Sequence, residues 1–247
     1  EKYLKNNKFD LIFVDYFCNF KEEFVSKGIF KSNYWGELND ILKENSIKTN
    51  WIHLSVNLGR NEDFFLHEKD IKEKFKIFNN NSAGLENHIL LDSFISLNVL
   101  KHTIIDWINI RKKCKNLNKE LQKLSIEDLN LFYLYKNEWE ESYRGVSAIS
   151  TILDFNLFYK TFKIIKGNPK LIYLFENQPW EFAMLQAWKK INNGLVVGYS
   201  HSSICYWDLR KFFHEKTFSN KDFPSPDLYA LNGKLSKDVF QKNQIDK

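Results

Sequence analysis

Two residues stand where chemistry is easiest to place. Glu176 ends the apolar run Leu171 to Phe175, and His201 lies just past a second apolar run, Leu195 to Tyr199. Between them, Pro179-Trp180-Glu181 opens an amphipathic stretch of helical period. If both runs are parallel strands of one sheet, Glu176 and His201 occupy neighbouring carboxyl ends, the edge where open α/β sheets place ligands. A carboxylate and an imidazole there can move a proton and stabilise an anion during group transfer. The expectation is one cleft, lined by Glu176, His201 and the loop through Arg210. Each residue also has a plainer use. Glu176 can cap the helix that begins near Pro179, and Glu181, in its first turn, suits the helix dipole better still.

The neighbours of the two residues widen the chemistry. Ser200, Ser202 and Ser203 make a hydroxyl-rich turn around His201, able to donate to a phosphate or a sugar hydroxyl. Cys205, four residues beyond, is too little for a metal site. In Trp207-Asp208-Leu-Arg210 the charges can pair with each other, or the Arg210 fork can reach an anion. Asn232-Gly233 reads as a turn or as a binding loop at a strand end. Trp180 reads as packing, or as an aromatic face for a sugar. The chain holds no Gly-x-Ser-x-Gly elbow and no Walker loop.

The elements that must position these groups follow from periodicity. Phe9 to Phe17 reads as a buried strand with Asp15 near its end, and Thr49 to Val56 as a second. Ser32 and Asn33 can cap a short helix over Tyr34 to Leu42. A Lys-rich helical piece covers Ile71 to Phe78. Two long helices are predicted next, one with a buried stripe at Leu90, Phe94, Leu97, Leu100, Ile104 and Trp107. The other runs from Leu129 through Tyr143 to Leu153, with Gly145 marking close packing or a kink. From Asn168 the pattern becomes strand (Lys170 to Phe175), helix (Pro179 to Ile191), strand (Leu195 to Tyr199), long loop, strand (Asp227 to Gly233) and helix. Such alternation implies parallel strands with right-handed crossovers. The fold class is α/β, a Rossmann-like parallel sheet with a long-helix insertion at about 84–165.

Bulk properties narrow the function classes. At 247 residues the chain can bury a substantial core. Its 43% hydrophobic and 27% charged content exclude a disordered class. The net charge of +5 is spread without a Lys/Arg block, against a nucleic-acid partner, and leaves room for weak attraction to an anionic membrane face. Cys18, Cys114 and Cys205 form no disulfide or zinc spacing, which favours a reducing compartment. The stretch closest to a membrane span, Ile89 to Ile108, is broken by Asp92, Asn98, Lys101, His102 and Asp106. No signal peptide is visible. Both ends, Glu1 and Lys247, read as cuts in a longer protein.

Several linked motifs carry a resemblance that spans most of the chain. They are Asp15-Tyr-Phe17, Tyr34-Trp-Gly36, Trp51-Ile-His53, Trp139 to Gly145, Glu176-Asn-Gln-Pro-Trp-Glu181, Gly198-Tyr-Ser-His-Ser202, Tyr206-Trp-Asp-Leu-Arg210 and Pro226 to Gly233. Together they resemble bacterial surface carbohydrate biosynthesis proteins of O-antigen and capsule gene clusters, themselves distantly similar to two-lobed GT-B glycosyltransferases. The resemblance implies that residues 1–247 form the N-terminal, acceptor-side lobe, with the donor lobe outside this chain. It implies a cytoplasmic enzyme, peripheral at the inner face of the membrane. Its donor would be a nucleotide-sugar and its acceptor a glycan or lipid-linked molecule, with no cofactor and no bound metal. On this reading Glu176 or His201 is the general base. The substrate-binding candidates are Asp15, Tyr34, Trp35, Gln178, Trp180, Ser200, Ser202, Trp207, Asp208, Arg210, Asn232 and Gly233. Two other readings stand beside it: a polyol-phosphate transferase of envelope polymers, and a non-catalytic subunit that binds carbohydrate or scaffolds a complex.

Overall fold

Strands buried on both faces need near-continuous apolar runs, and the runs ending near Asp15, His53, Glu176 and His201 all meet that requirement. The computed structural model describes residues 2–18, 20–55, 68–123, 125–126, 129–191, 194–202, 210, 217 and 222–242. In chain order the elements are α1 (Lys2–Asn6), β1 (Leu11–Tyr16), α2 (Glu22–Val25), α3 (Leu38–Glu44), β2 (Thr49–Leu54), α4 (Glu68–Asn81) and β3 (Glu86–Leu90). A short 3₁₀ turn (Leu91–Phe94) leads into α5 (Leu97–Leu121), followed by β4 (Ser125–Ile126), β5 (Leu129–Asn130), α6 (Phe132–Arg144) and α7 (Val146–Ile164). The chain then returns through β6 (Lys170–Leu174), α8 (Pro179–Ile191), β7 (Val196–Tyr199), β8 (Leu228–Ala230) and α9 (Lys234–Lys242).

Six of the strands form one parallel sheet in the order β3-β2-β1-β6-β7-β8, while β4 and β5 pair as a separate antiparallel ribbon. With the ribbon set aside, the six follow the doubly wound order 3-2-1-4-5-6, which reverses direction between β1 and β6. Each face of the sheet has its own core. Ile12, Val14, Leu171 and Tyr173 pack with Phe158 and Phe162 of α7 and Met184 and Trp188 of α8. Phe13, Trp51 and Leu90 pack on the other face with Leu42 of α3 and Phe75 and Phe78 of α4. The α/β, Rossmann-like class is therefore the observed one.

The fold departs from expectation in four places. Residues 86–90 are a sheet strand, so the helical excursion begins after Leu90 rather than near residue 84. The predicted stripe on α5 is largely solvent-facing: Leu97 is 87% and Ile104 57% exposed, while Val99 and Thr103 point inward. The second long stripe is three elements. Leu129 lies in the ribbon, and the helix breaks at Gly145, which ends α6 and caps α7. Beyond Gly145, the Glu141 carboxylate accepts the Ser147 amide at 2.9 Å, so the break is capped rather than kinked. The segment Ser32 to Gly36 is a turn held by Ser32, whose hydroxyl accepts the Tyr34 amide at 3.1 Å, and the helix starts only at Leu38.

Candidate active site at the sheet reversal

The loop after β6 is shaped by Glu181. Its buried carboxylate accepts the amides of Glu176 at 2.8 Å and Gln178 at 2.9 Å, satisfying N–H groups ahead of α8. Asn177 between them takes a left-handed backbone, φ 60°, a conformation that Asn tolerates better than most residues. The plainer role foreseen for Glu181 is thus the observed one. It relieves Glu176 of capping and leaves the Glu176 side chain turned toward the sheet edge.

β6 and β7 pair in parallel, with Leu174 opposite Tyr199, so the residues just beyond them are neighbours. His201 Nε2 lies 3.5 Å from Glu176 Oε1, with the two side chains 18% and 29% exposed. The pair is reachable from solvent yet half enclosed. Tyr34 closes one side, its ring edge-on to His201 at 4.8 Å. Its hydroxyl sits 3.5 Å from Cys18 Sγ, in the segment after β1. Trp180 donates its indole N–H to the Tyr16 hydroxyl at 2.6 Å. Burial chiefly pushes the Tyr16 phenol up to about 12, with the Glu176 and Glu181 carboxylates adding to it. Burial likewise raises the Cys18 thiol, which also feels Asp15 and Glu176. At neutral pH both are proton donors, not nucleophiles. The cluster therefore sits at the carboxyl ends of β1, β6 and β7, beside the reversal of strand order where α/β sheets bind ligands.

The remaining candidates separate by position. Asp15 and Trp35 lie behind the site rather than in it. Asp15 is fully buried, with Oδ2 accepting Trp35 Nε1 at 2.8 Å and Oδ1 2.6 Å from His53 Nδ1. Trp180 is largely buried, and its N–H is occupied, so it acts as wall more than as sugar platform. Ser200 is buried; its amide is bonded to Ala230 O and its hydroxyl to Ser202 O. Ser202 is exposed, and Gln178 is half-buried at the start of α8. Arg210 is exposed, and its carbonyl accepts the Asn177 side-chain amide, which ties that point of the chain to the Glu176 loop. Asn232 and Gly233, exposed and with Gly233 at φ 90°, follow β8 on the same sheet edge, one strand beyond β7. Trp207 and Asp208 lie outside the described residues.

Sequence reasoning overlooked Tyr16 and Cys18. The period-two alternation of β1 held the signal: Asp15 facing one side puts Tyr16 on the other, toward α8. Among the described residues no group of three or more His, Cys, Asp or Glu side chains is arranged to hold a metal ion. A cavity of about 520 Å³ is formed wholly by α5 and α6, around Arg111, Lys115 and Tyr143, and shares no residue with the sheet edge. No family model matches the chain, and neither does any curated protein or solved structure.

Proposed function

We propose that this chain is the acceptor-side lobe of a GT-B-like, metal-independent glycosyltransferase of bacterial surface polysaccharide (O-antigen or capsule) synthesis. It acts in the cytoplasm, peripherally at the inner membrane face, moving a sugar from a nucleotide-activated donor to a glycan or lipid-linked acceptor. One observation carries the reading: a partly exposed Glu176–His201 pair, 3.5 Å apart, at the carboxyl edge beside the sheet reversal. Glu176 takes the proton of the acceptor hydroxyl as its oxygen bonds to the anomeric carbon. The bond from that carbon to the phosphate breaks, and the nucleotide leaves with the electron pair. His201 orients the acceptor or steadies the charge that develops, and Tyr34 offers a ring to the sugar. A nucleotide-activated polyol is the second donor class. The same pair geometry favours it, since a carboxylate beside a histidine is also how a histidine base is oriented.

The test uses the full-length gene product with panels of nucleotide-sugars, nucleotide-activated polyols and lipid-linked glycans. Glu176→Gln should lower kcat by about 10²–10⁴-fold with the fold intact. Normal turnover in Glu176→Gln with none in His201→Ala would exchange the two roles. Full activity in both variants would place the transfer elsewhere.

A further inference from the structure

Behind the site, five side chains from four elements line up across the sheet. Asp15 Oδ1 meets His53 Nδ1 at 2.6 Å, and His53 Nε2 meets His88 Nδ1 at 3.0 Å. His88 Nε2 faces Glu86 Oε2 at 3.7 Å, and Glu86 Oε2 meets Lys43 Nζ at 2.9 Å. Asp15, His53 and His88 are at most 1% exposed, and Glu86 4%. The functional reading uses none of the inner four.

Proton counting constrains this chain. The Asp15–His53 link needs one proton, because Trp35 already fixes Asp15 as an acceptor at its other oxygen. The His53–His88 link needs a second. At the third link, a bare His88 Nε2 would aim its lone pair at a carboxylate oxygen inside a low-dielectric core, so a proton belongs there too. Two neutral imidazoles bring only two ring protons. With two, the chain from Asp15 to Lys43 carries a buried uncompensated negative charge; with three it is neutral. Buried charges persist when they are compensated. His53 has close partners at both ring nitrogens, the Asp15 carboxylate at 2.6 Å and His88 at 3.0 Å, whereas His88 Nε2 stands 3.7 Å from its carboxylate, so the geometry places the extra proton on His53.

We propose that the histidine pair holds three ring protons, with the charge centred on His53, and that the chain so ordered is a positioning device for Trp35 and Tyr34 at the active site. This rests on the Glu176–His201 edge being the active site, not on which group is transferred. Asp15 anchors the Trp35 indole N–H, and the Trp35 ring leans on Tyr199, two residues before His201, at 5.2 Å. Tyr34, next in the same Ser32-anchored turn, meets His201 edge-on. Among the described residues no other element brings an ionisable group to the pair. Phe17, Phe30, Trp51, Phe75 and Phe78 supply the surrounding ring contacts, and Asn79 binds the His88 backbone. Cys18 adds a raised, neutral thiol near Asp15.

The test needs neither donor nor acceptor: ¹⁵N–¹H correlation of the histidine rings in this chain at neutral pH. We expect both His53 nitrogens protonated and His88 protonated at Nε2 alone. A neutral His53 would overturn the charge assignment even if transferase activity were later found. For positioning, Tyr34→Leu sets the full ring-current effect on the His201 protons, and Trp35→Phe, which keeps the five side chains of the chain but cuts its indole link to Asp15, should remove a large part of it. An unchanged His201 signal in Trp35→Phe would overturn the positioning role.

Discussion

One sheet carries two carboxylate–histidine pairs, each at the carboxyl ends of adjacent parallel strands, and they live in opposite worlds. Asp15 and His53 sit opposite each other in register, 2.6 Å apart and with neither side chain exposed. Glu176 and His201 follow β6 and β7, 3.5 Å apart and 29% and 18% exposed. Residue type and strand position are nearly the same; cover is not. The turn of Ser32 to Gly36 and the aromatic layer of Phe17, Phe30 and Phe75 seal the first pair, while the second has Tyr34 on one side and solvent access on another. Sealed charges are strongly coupled, so the first pair is committed to structure. Screened and reachable charges can exchange protons with a substrate, so the second is available for chemistry.

The largest test of that contrast is removal of one carboxylate from each pair. Asp15→Asn strands a buried charge and leaves one carbonyl oxygen where Trp35 and His53 each had an acceptor, and should cost about 3–5 kcal/mol in urea unfolding. Glu176→Gln should stay within about 0.5 kcal/mol, because a partly exposed pair contributes little net stability. Equal losses in the two variants would erase the distinction between sealed and open.

Acid should act on the sealed side next. The folded His88 imidazole lies near 4, below its unfolded value of about 6.5. Between those values the unfolded chain binds a proton at His88 that the folded chain refuses, so the contribution of His88 is full above about pH 6.5 and falls as pH drops toward 4. The accumulated loss is about 3 kcal/mol. Glu86, also held below the ordinary carboxylate range by His88 and Lys43 against the opposing effect of burial, adds a loss of the same sign at lower pH. Urea midpoints measured from pH 7 to pH 4.5 should fall in wild type and flatten in His88→Asn. A flat wild-type profile would show that the chain is not sealed.

The difference between the pairs also explains what could be read from the chain. The strands around Glu176 and His201 and the helix between them are local signals: an apolar run, a Pro-Trp-Glu start and a second apolar run. Their adjacency then follows from the βαβ rule. Glu86-Asn-His-Ile-Leu90 hides its strand because three of its five residues are polar, and contacts with His53, Asn50, Asn79 and Lys43 make them buriable. The apolar face of α5 misled for the converse reason. Period marks an amphipathic helix but not which face a neighbouring element covers. Asp15 and Trp35 were legible as important, yet His53, which bonds Asp15, finds its own partner His88 35 residues further on, where spacing carries no signal.

The smallest effect concerns how the open pair is held from behind. Glu181 is 1% exposed and accepts two backbone amides, one of them from Glu176 itself, so a sealed carboxylate shapes the loop that presents the reachable one. Hydrogen bonds to a charged acceptor contribute more than neutral ones, and a buried amide left without its acceptor costs further. Glu181→Ala should therefore lose about 2 kcal/mol, whereas Glu181→Gln, which keeps a carbonyl in place, should lose about 1 kcal/mol. The informative readout is the His201 ring signal rather than stability alone. If Glu181 only caps α8, both variants leave that signal where wild type has it. If it sets the Glu176 loop, Glu181→Ala moves the His201 resonance as the pair loosens, and Glu181→Gln moves it less. A stability loss in Glu181→Ala with an unmoved His201 would mean that the open pair is positioned from the Tyr34 side alone.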